Sequence, residues 1–296
     1  MQASLKVRPD MPANDDRFGD PFFRRFQLRP SPSPLALEDG IEKSYPFPTL
    51  YGDVGCAIGI FLCDYEAARA MMPHPSIVPV RMTKGRTLVI FSCYEYRQVL
   101  KVWPYNEIAM TIPVMANARF RPPVLPMLMS GLFSRFGYYV FAMPVTSREN
   151  QLRGNRLWGL PKVTQTIDID AAPENDQGDC VTTARESDGA AYFTLRVPKA
   201  GAPTDFDVRG HLYSKLDGKI LKSQTCFQGR FAVNKHMRAL WSKGLTPDRE
   251  YLSIGAGPSA QPLRDLKIEP HPFQFRYTPS MNAAFDLPIA GFEIEK

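Results

Sequence analysis

Apolar positions in this chain come in short runs with strand spacing, separated by turn residues, over most of its length. Residues 54–62 are a nearly continuous apolar run, followed by Asp64 as a helix cap, a helix over 66–72 and Pro73 as its stop. Residues 86–96, 107–116 and 137–145 carry β-branched and aromatic side chains in the spacing of further strands. Three more strands are predicted over 162–170, 179–186 and 190–197, the last two turning through Ser187-Asp188-Gly189. A second hairpin turns at Leu216-Asp217-Gly218, and strands return over 267–277 and 285–295. Besides 66–72, two short polar or amphipathic helices are expected: a polar segment 147–154 opened by Ser147 and closed by Gly154, and an amphipathic stretch 235–243 closed by Gly244.

Many antiparallel-type strands with few long helices predict a mainly β (α+β) fold built as one closed or nearly closed β architecture, because closure removes exposed strand edges. A parallel α/β fold would need long helices between its strands. Residues 1–44 read as a proline-rich arm, with Pro9, Pro12, Pro21, Pro30, Pro32 and Pro34 blocking regular structure, ahead of one domain over 45–296. The arm carries Phe18, Phe22, Phe23 and Phe26, which could dock on a neighbouring subunit. Residues 122–145 form the most apolar stretch, uncharged only over 122–134 and so too short to span a bilayer. An apolar helix is expected there, in the core or an interface ahead of a position over a pocket.

Hydrophobic residues make up 44% and charged residues 22%, the usage of an ordinary folded domain. The net charge of +6 is dispersed, with no like-charge block of the kind that marks a nucleic-acid arm. Five cysteines, odd in number, widely spaced and free of Cys-x-x-Cys, predict reduced thiols in a cytoplasmic protein. The four histidines are scattered, which argues against a zinc site. No secretory signal is read in residues 1–20. Gly154 and Gly159 have phosphate-loop spacing, but Leu160-Pro161-Lys162 follows where Lys-Ser/Thr should stand. Gly52, Gly55 and Gly59 do not form a dinucleotide fingerprint, and neither a Gly-x-Ser-x-Gly elbow nor a Ser-x-x-Lys pair is found.

The residue that carries chemistry is Lys162, at the end of Arg153-Gly154-Asn155-Arg156-Leu157-Trp158-Gly159-Leu160-Pro161-Lys162, where nearly everything around the amine is apolar or stiff. An exposed lysine is neutral in about one molecule in 2,500 at pH 7. Desolvation that lowers its pKa by about three units, roughly 4 kcal/mol, makes it a nucleophile able to form an imine. The alternative is a surface lysine whose stem lies along apolar side chains.

Together with Tyr105-Asn106-Glu107-Ile108-Ala109-Met110-Thr111-Ile112-Pro113-Val114, the segment 154–162 gives the chain a resemblance to the acetoacetate decarboxylase family. The family's strand has a glutamate in a Tyr-x-Glu-x-x-x-Ile-Pro-Val-like setting, and its downstream glycine-containing segment ends in Pro-Lys. Residues 64–75 also look like the family's early helix ending in Pro-x-Pro, so the likeness runs over about 45–169. The resemblance implies a cone-like closed β-barrel housing the lysine, homo-oligomers, a small keto-acid substrate, and no cofactor, metal, nucleic acid or membrane. It also implies Lys162 as the imine-forming lysine and Glu107 as the pocket carboxylate beside it. Two departures stand out: Val163 replaces the second lysine of the decarboxylases, and their early-strand arginine has no counterpart near Val54 and Gly55.

The expected activity is therefore that of a lyase, decarboxylating or aldol/dehydrating, with a non-catalytic keto-acid binding protein as the alternative. Glu107 can serve as general acid/base or as the structural partner of an arginine. Arg156 can bind a substrate carboxylate or face solvent, and Trp158 can floor the pocket or pack in the core.

Overall fold

The computed structural model describes residues 1–171 and 178–289. The long central strands are buried on both faces, which is why their sequences read as continuous apolar runs rather than as a clean alternation. In β1 (Thr49–Asp64), Val54, Cys56, Ile58, Ile60 and Leu62 enter one core while Ala57, Phe61 and Cys63 enter another. β2 (Arg86–Val99) and β3 (Tyr105–Ala116) divide the same way, with Leu88, Ile90, Tyr96, Tyr105 and Ala109 on one side and Val89, Phe91, Ile108, Met110 and Ile112 on the other.

The first of these faces lines the inside of a closed barrel. Going round the wall, β4 (Phe136–Val145), β9 (Ala202–Leu216), β10 (Lys219–Lys235), β12 (Pro272–Pro288), β1, β2 and β3 follow one another, and β3 pairs back onto β4. All contacts in this ring are antiparallel except β4 with β9. The other face is covered by a second sheet of β6 (Thr166–Asp170), β7 (Asp179–Arg185), β8 (Ala191–Pro198) and β11 (Leu252–Ile254). The two layers meet so closely that a β-carbon at Gly59 would lie 2.8 Å from a Leu195 methyl. Close approach, not a phosphate, accounts for that glycine.

Local signals placed most elements correctly. The β9–β10 hairpin turns with both Asp217 and Gly218 at positive φ, the conformation that favours Asp-Gly, and Gly189 turns β7 into β8. Helix α1 (Tyr65–Ala70) is capped by the Asp64 carboxylate, which accepts from the Ala67 amide at 2.8 Å. The helix expected over 235–243 is a single turn, α4 (Arg238–Trp241), because β10 extends to Lys235. The strands expected over 267–277 and 285–295 are one strand, β12, and residues 290–295 of the second lie outside the described residues.

The apolar stretch after Pro122 departs further from expectation. It makes one helical turn, α2 (Leu125–Leu128), and a 3₁₀ turn before β4. Closely spaced Pro122, Pro123 and Pro126 prevent a longer helix. Met127 reaches the barrel cavity, whereas Phe120, Leu128 and Leu132 are 70%, 75% and 71% exposed. Within the subunit, Val124, Met127 and Phe133 pack at the edge of buried clusters and Pro126 is buried, so the segment lies partly against the core, with Met127 alone reaching the cavity.

The arm lies on its own barrel. Phe22 and Phe23 are buried against Leu50, Leu100, Cys226 and Ala284, with Phe18 and Phe26 packed at the edge. Burial of each phenyl contributes on the order of 1.5–3 kcal/mol. Further along, the Lys43 ammonium donates to Glu149 Oε2 at 2.8 Å and the Tyr45 hydroxyl to Glu149 Oε1 at 2.7 Å, all three side chains buried. Removing one partner strands a charge away from water. Lys43→Met is expected to destabilise the protein by about 3–5 kcal/mol, and adding Glu149→Gln to recover a large part of that loss; urea unfolding of both variants reads the difference.

Candidate active site

Lys162 owes its position to the helix before it. Helix α3 (Arg148–Trp158) starts at Ser147, whose hydroxyl accepts from the Asn150 amide, and ends at Gly159, which adopts φ +60°. It runs one turn past Gly154, the end expected from the sequence. Gly154 is instead in the buried face, and the reason is local: a β-carbon there would sit 2.3 Å from Lys162 Cδ and 2.6 Å from Cε. The lysine stem lies across the bare glycine backbone. The Lys162 amide donates to Asn155 Oδ1 at 3.2 Å, so the helix also fixes the start of β5 (Lys162–Thr164), which pairs with β4. Gly154→Ala is expected to leave the fold intact, since alanine favours a helix by about 1 kcal/mol over glycine. It is expected to push the Lys162 side chain out of place and to cut imine trapping at least tenfold, read by mass spectrometry beside a thermal melt.

Lys162, thus placed, is 7% exposed, with Nζ 2.5 Å from Glu107 Oε2. Glu107 projects inward from β3, opposite Tyr94 of β2 and Val145 of β4. Its other oxygen accepts from the Tyr96 hydroxyl at 3.3 Å, and the Tyr105 ring centre lies 5.8 Å from the amine. Burial holds the Lys162 pKa below the usual lysine value, outweighing the opposite pull of Glu107, while the positive charge of Arg153 lowers it further. Arg153 is itself buried in α3, over the Tyr45 ring at 4.2 Å, with Nη1 donating to Asn150 and Nη2 to Thr49.

The amine and carboxylate open on a cavity of roughly 200 Å³ inside the barrel. Tyr51, Tyr94 and Tyr96 line it with Glu107 and Lys162. Burial pushes the Tyr51 phenol up to about 12 and those of Tyr94 and Tyr96 higher still, so all three remain protonated hydrogen-bond donors at neutral pH. Most of the remaining wall is apolar, including Ile58, Ile60, Met143, Leu160, Phe227 and Phe285. Among the described residues no group of three His, Cys, Asp or Glu side chains stands close enough to hold a metal ion.

The structure brings Lys162 and Glu107 together and leaves the other two candidates off the cavity wall. Arg156 is exposed on α3 and donates to the Ala36 carbonyl of the arm. Trp158 is buried behind the wall, its indole donating to the Asp286 carbonyl at 2.8 Å and stacking on Phe285, which does line the cavity. Sequence reading missed Arg153, three residues before Arg156, and the tyrosines of β2. The i, i+2 spacing of Tyr94 and Tyr96 was the available sign that both share one face of a strand.

Comparison with solved structures places the same fold in known proteins. An acetoacetate decarboxylase superposes with a TM-score of 0.55 at 16% identity, covering 84% of this chain and 91% of the other. Acetoacetate decarboxylase from Legionella pneumophila gives 0.56 at 11% identity over 99% and 98%. The enduracididine biosynthesis enzyme MppR complexed with pyruvate gives 0.53 at 11% identity over 84% and 90%. No curated protein matches the sequence. The family model for acetoacetate decarboxylase matches residues 32–228, well over half of the chain, and the chain belongs to that family.

Proposed function

We propose that this protein is a Schiff-base lyase in which Lys162 forms an imine with a keto acid. The observation that carries the reading is the buried Lys162 side chain, its pKa lowered by burial, with Nζ 2.5 Å from a single carboxylate at the wall of the barrel cavity. The neutral amine attacks the substrate carbonyl, and the carbinolamine loses water to give an iminium. If a carboxylate sits β to that carbon, the C–C bond breaks, carbon dioxide leaves, and its electron pair forms an enamine that Glu107 protonates. If none does, Glu107 removes an α-proton and the enamine adds to an aldehyde, with dehydration to follow. Hydrolysis of the imine restores the lysine in either case.

Val163, in the position of the decarboxylases' second lysine, is 53% exposed and supplies no charge. Arg153 is the cation that acts on the amine here. The pyruvate complex of MppR supports a keto acid as substrate. The apolar Phe120, Leu128 and Leu132 left exposed support a homo-oligomer, and five separate buried thiols support a cytoplasmic setting.

Incubation with acetoacetate or pyruvate and borohydride is expected to add the reduced substrate to Lys162, identified by peptide mass. Carbon dioxide release from acetoacetate then selects the decarboxylating branch, and condensation of pyruvate with an added aldehyde selects the other. A trapped adduct with neither product would leave a binding protein; no adduct at Lys162 between pH 6 and 9 would end the proposal.

A further inference from the structure

One cation on the cavity wall has no part in the imine chemistry. Arg276 stands on β12, and cross-strand pairing runs from Arg276 to Ile58, from Ile58 to Ser92 and from Ser92 to Ala109, two residues beyond Glu107. That is three strand spacings, about 14 Å around the wall. All four residues line the cavity. The Arg276 guanidinium donates through Nε and Nη2 to Gln274 Oε1 at 3.3 and 3.0 Å and lies 4.9 Å from the Phe206 ring centre. Among the described residues no carboxylate pairs with it. Buried or partly buried charges are normally paired, so a guanidinium held against a cavity beside a neutral amide, aromatic rings and a thiol, with no carboxylate partner among the described residues, is arranged for an anion that arrives from outside.

We propose that Arg276 anchors the carboxylate of the substrate, and that the substrate is a keto acid whose carboxylate and reactive carbonyl are separated by an apolar body. The planar fork of an arginine matches a carboxylate through two parallel hydrogen bonds. The two charged ends of the cavity are distinct: the Lys162 amine answers to Glu107 and Arg153, whereas Arg276 neighbours Tyr138 and Cys56. Ile58, Ser92 and Ala109 follow one another on the register between them, and the rest of the lining is mostly apolar, with Ile60, Met143 and Phe227 in it. A cavity of about 150 Å³ accepts a benzene ring, so the roughly 200 Å³ here takes a medium chain or a ring with a polar group at each end. Pyruvate, with its carbonyl and carboxylate adjacent, reaches only one end. This inference rests on the imine reading for the carbonyl end alone.

The test compares 6-oxoheptanoate, 2-heptanone and pyruvate in borohydride trapping on Lys162, in the unmodified protein, Arg276→Met and Arg276→Lys, each checked for folding by thermal melt. In the unmodified protein 6-oxoheptanoate is expected to half-saturate at the lowest concentration. Arg276→Met is expected to raise that concentration roughly 10- to 100-fold while leaving 2-heptanone unchanged, with partial rescue in Arg276→Lys. Equal trapping of the acid and the ketone, or an Arg276→Met variant that treats both as the unmodified protein does, overturns the proposal. Heptanoate, which has no carbonyl, is measured by calorimetry alongside. It is expected to bind the unmodified protein and to weaken by a similar factor in Arg276→Met, so absence of every adduct would count against the imine while this arm still judges Arg276. Equal heptanoate affinity in the two proteins counts against the anchor.

Discussion

Lys162→Ala is expected to abolish the borohydride adduct and to lower kcat/KM by about 10⁴-fold or more, the scale on which losing a nucleophile costs an enzyme. The same change leaves Glu107 buried without its cation, and removing one partner of a buried pair destabilises by about 3–5 kcal/mol. A loss of activity could then be mistaken for a loss of fold. The double variant Lys162→Ala with Glu107→Gln separates the two. It no longer carries an orphan charge, so its unfolding free energy is expected to return toward that of the unmodified protein while activity stays absent. Activity in a folded Lys162→Ala protein, measured as carbon dioxide release or condensation, would rule out the imine route.

Glu107→Gln is the second large effect, and it separates two roles of one side chain. Glu107 is the group whose charge favours the Lys162 ammonium; burial and Arg153 oppose it. Take away the negative charge and the Lys162 pKa falls further. Imine formation needs the neutral amine, whose fraction grows as pH rises through that pKa, so the acidic limb of the trapping profile is expected to move to lower pH. Proton transfer to and from the enamine loses its general acid/base, and kcat is expected to drop about 10²- to 10⁴-fold. Easier adduct formation at low pH combined with slower turnover is a signature that a structural partner alone would not produce. A pH-dependent trapping series paired with steady-state rates reads both.

Much of this fold lay open in the strands themselves. The Asp217-Gly218 and Ser187-Asp188-Gly189 turns required conformations that only a few residues adopt cheaply, and those residues are there. Lys162 and Glu107 were legible because a stiff Pro-Lys segment and a glutamate on an otherwise apolar strand are unusual, and their pairing followed the family likeness. What could not be read was contact at a distance. Gly154 looked like a helix end because nothing near it in sequence says that a lysine eight positions on will lie across it. Arg153 and Arg156 share one helix, and which of them points inward depends on the face that Glu149, Asn150 and Leu152 bury. Arg276 comes from the last strand, beyond the reach of the likeness, and enters the cavity only because the barrel closes. The arm's phenylalanines were read as a clasp for a neighbour; they fill a groove on their own barrel, a choice fixed by Leu50, Leu100 and Ala284.

The protonation of one nitrogen decides the whole account. Nitrogen-detected NMR of protein carrying labelled lysine, with the Lys162 Nζ signal assigned by its loss in Lys162→Arg, gives its titration midpoint directly. A midpoint clearly below that of the surface lysines, falling further in Glu107→Gln, is the predicted result; a midpoint at or above the ordinary lysine value would mean that Glu107 keeps the amine as an ammonium, and would contradict it.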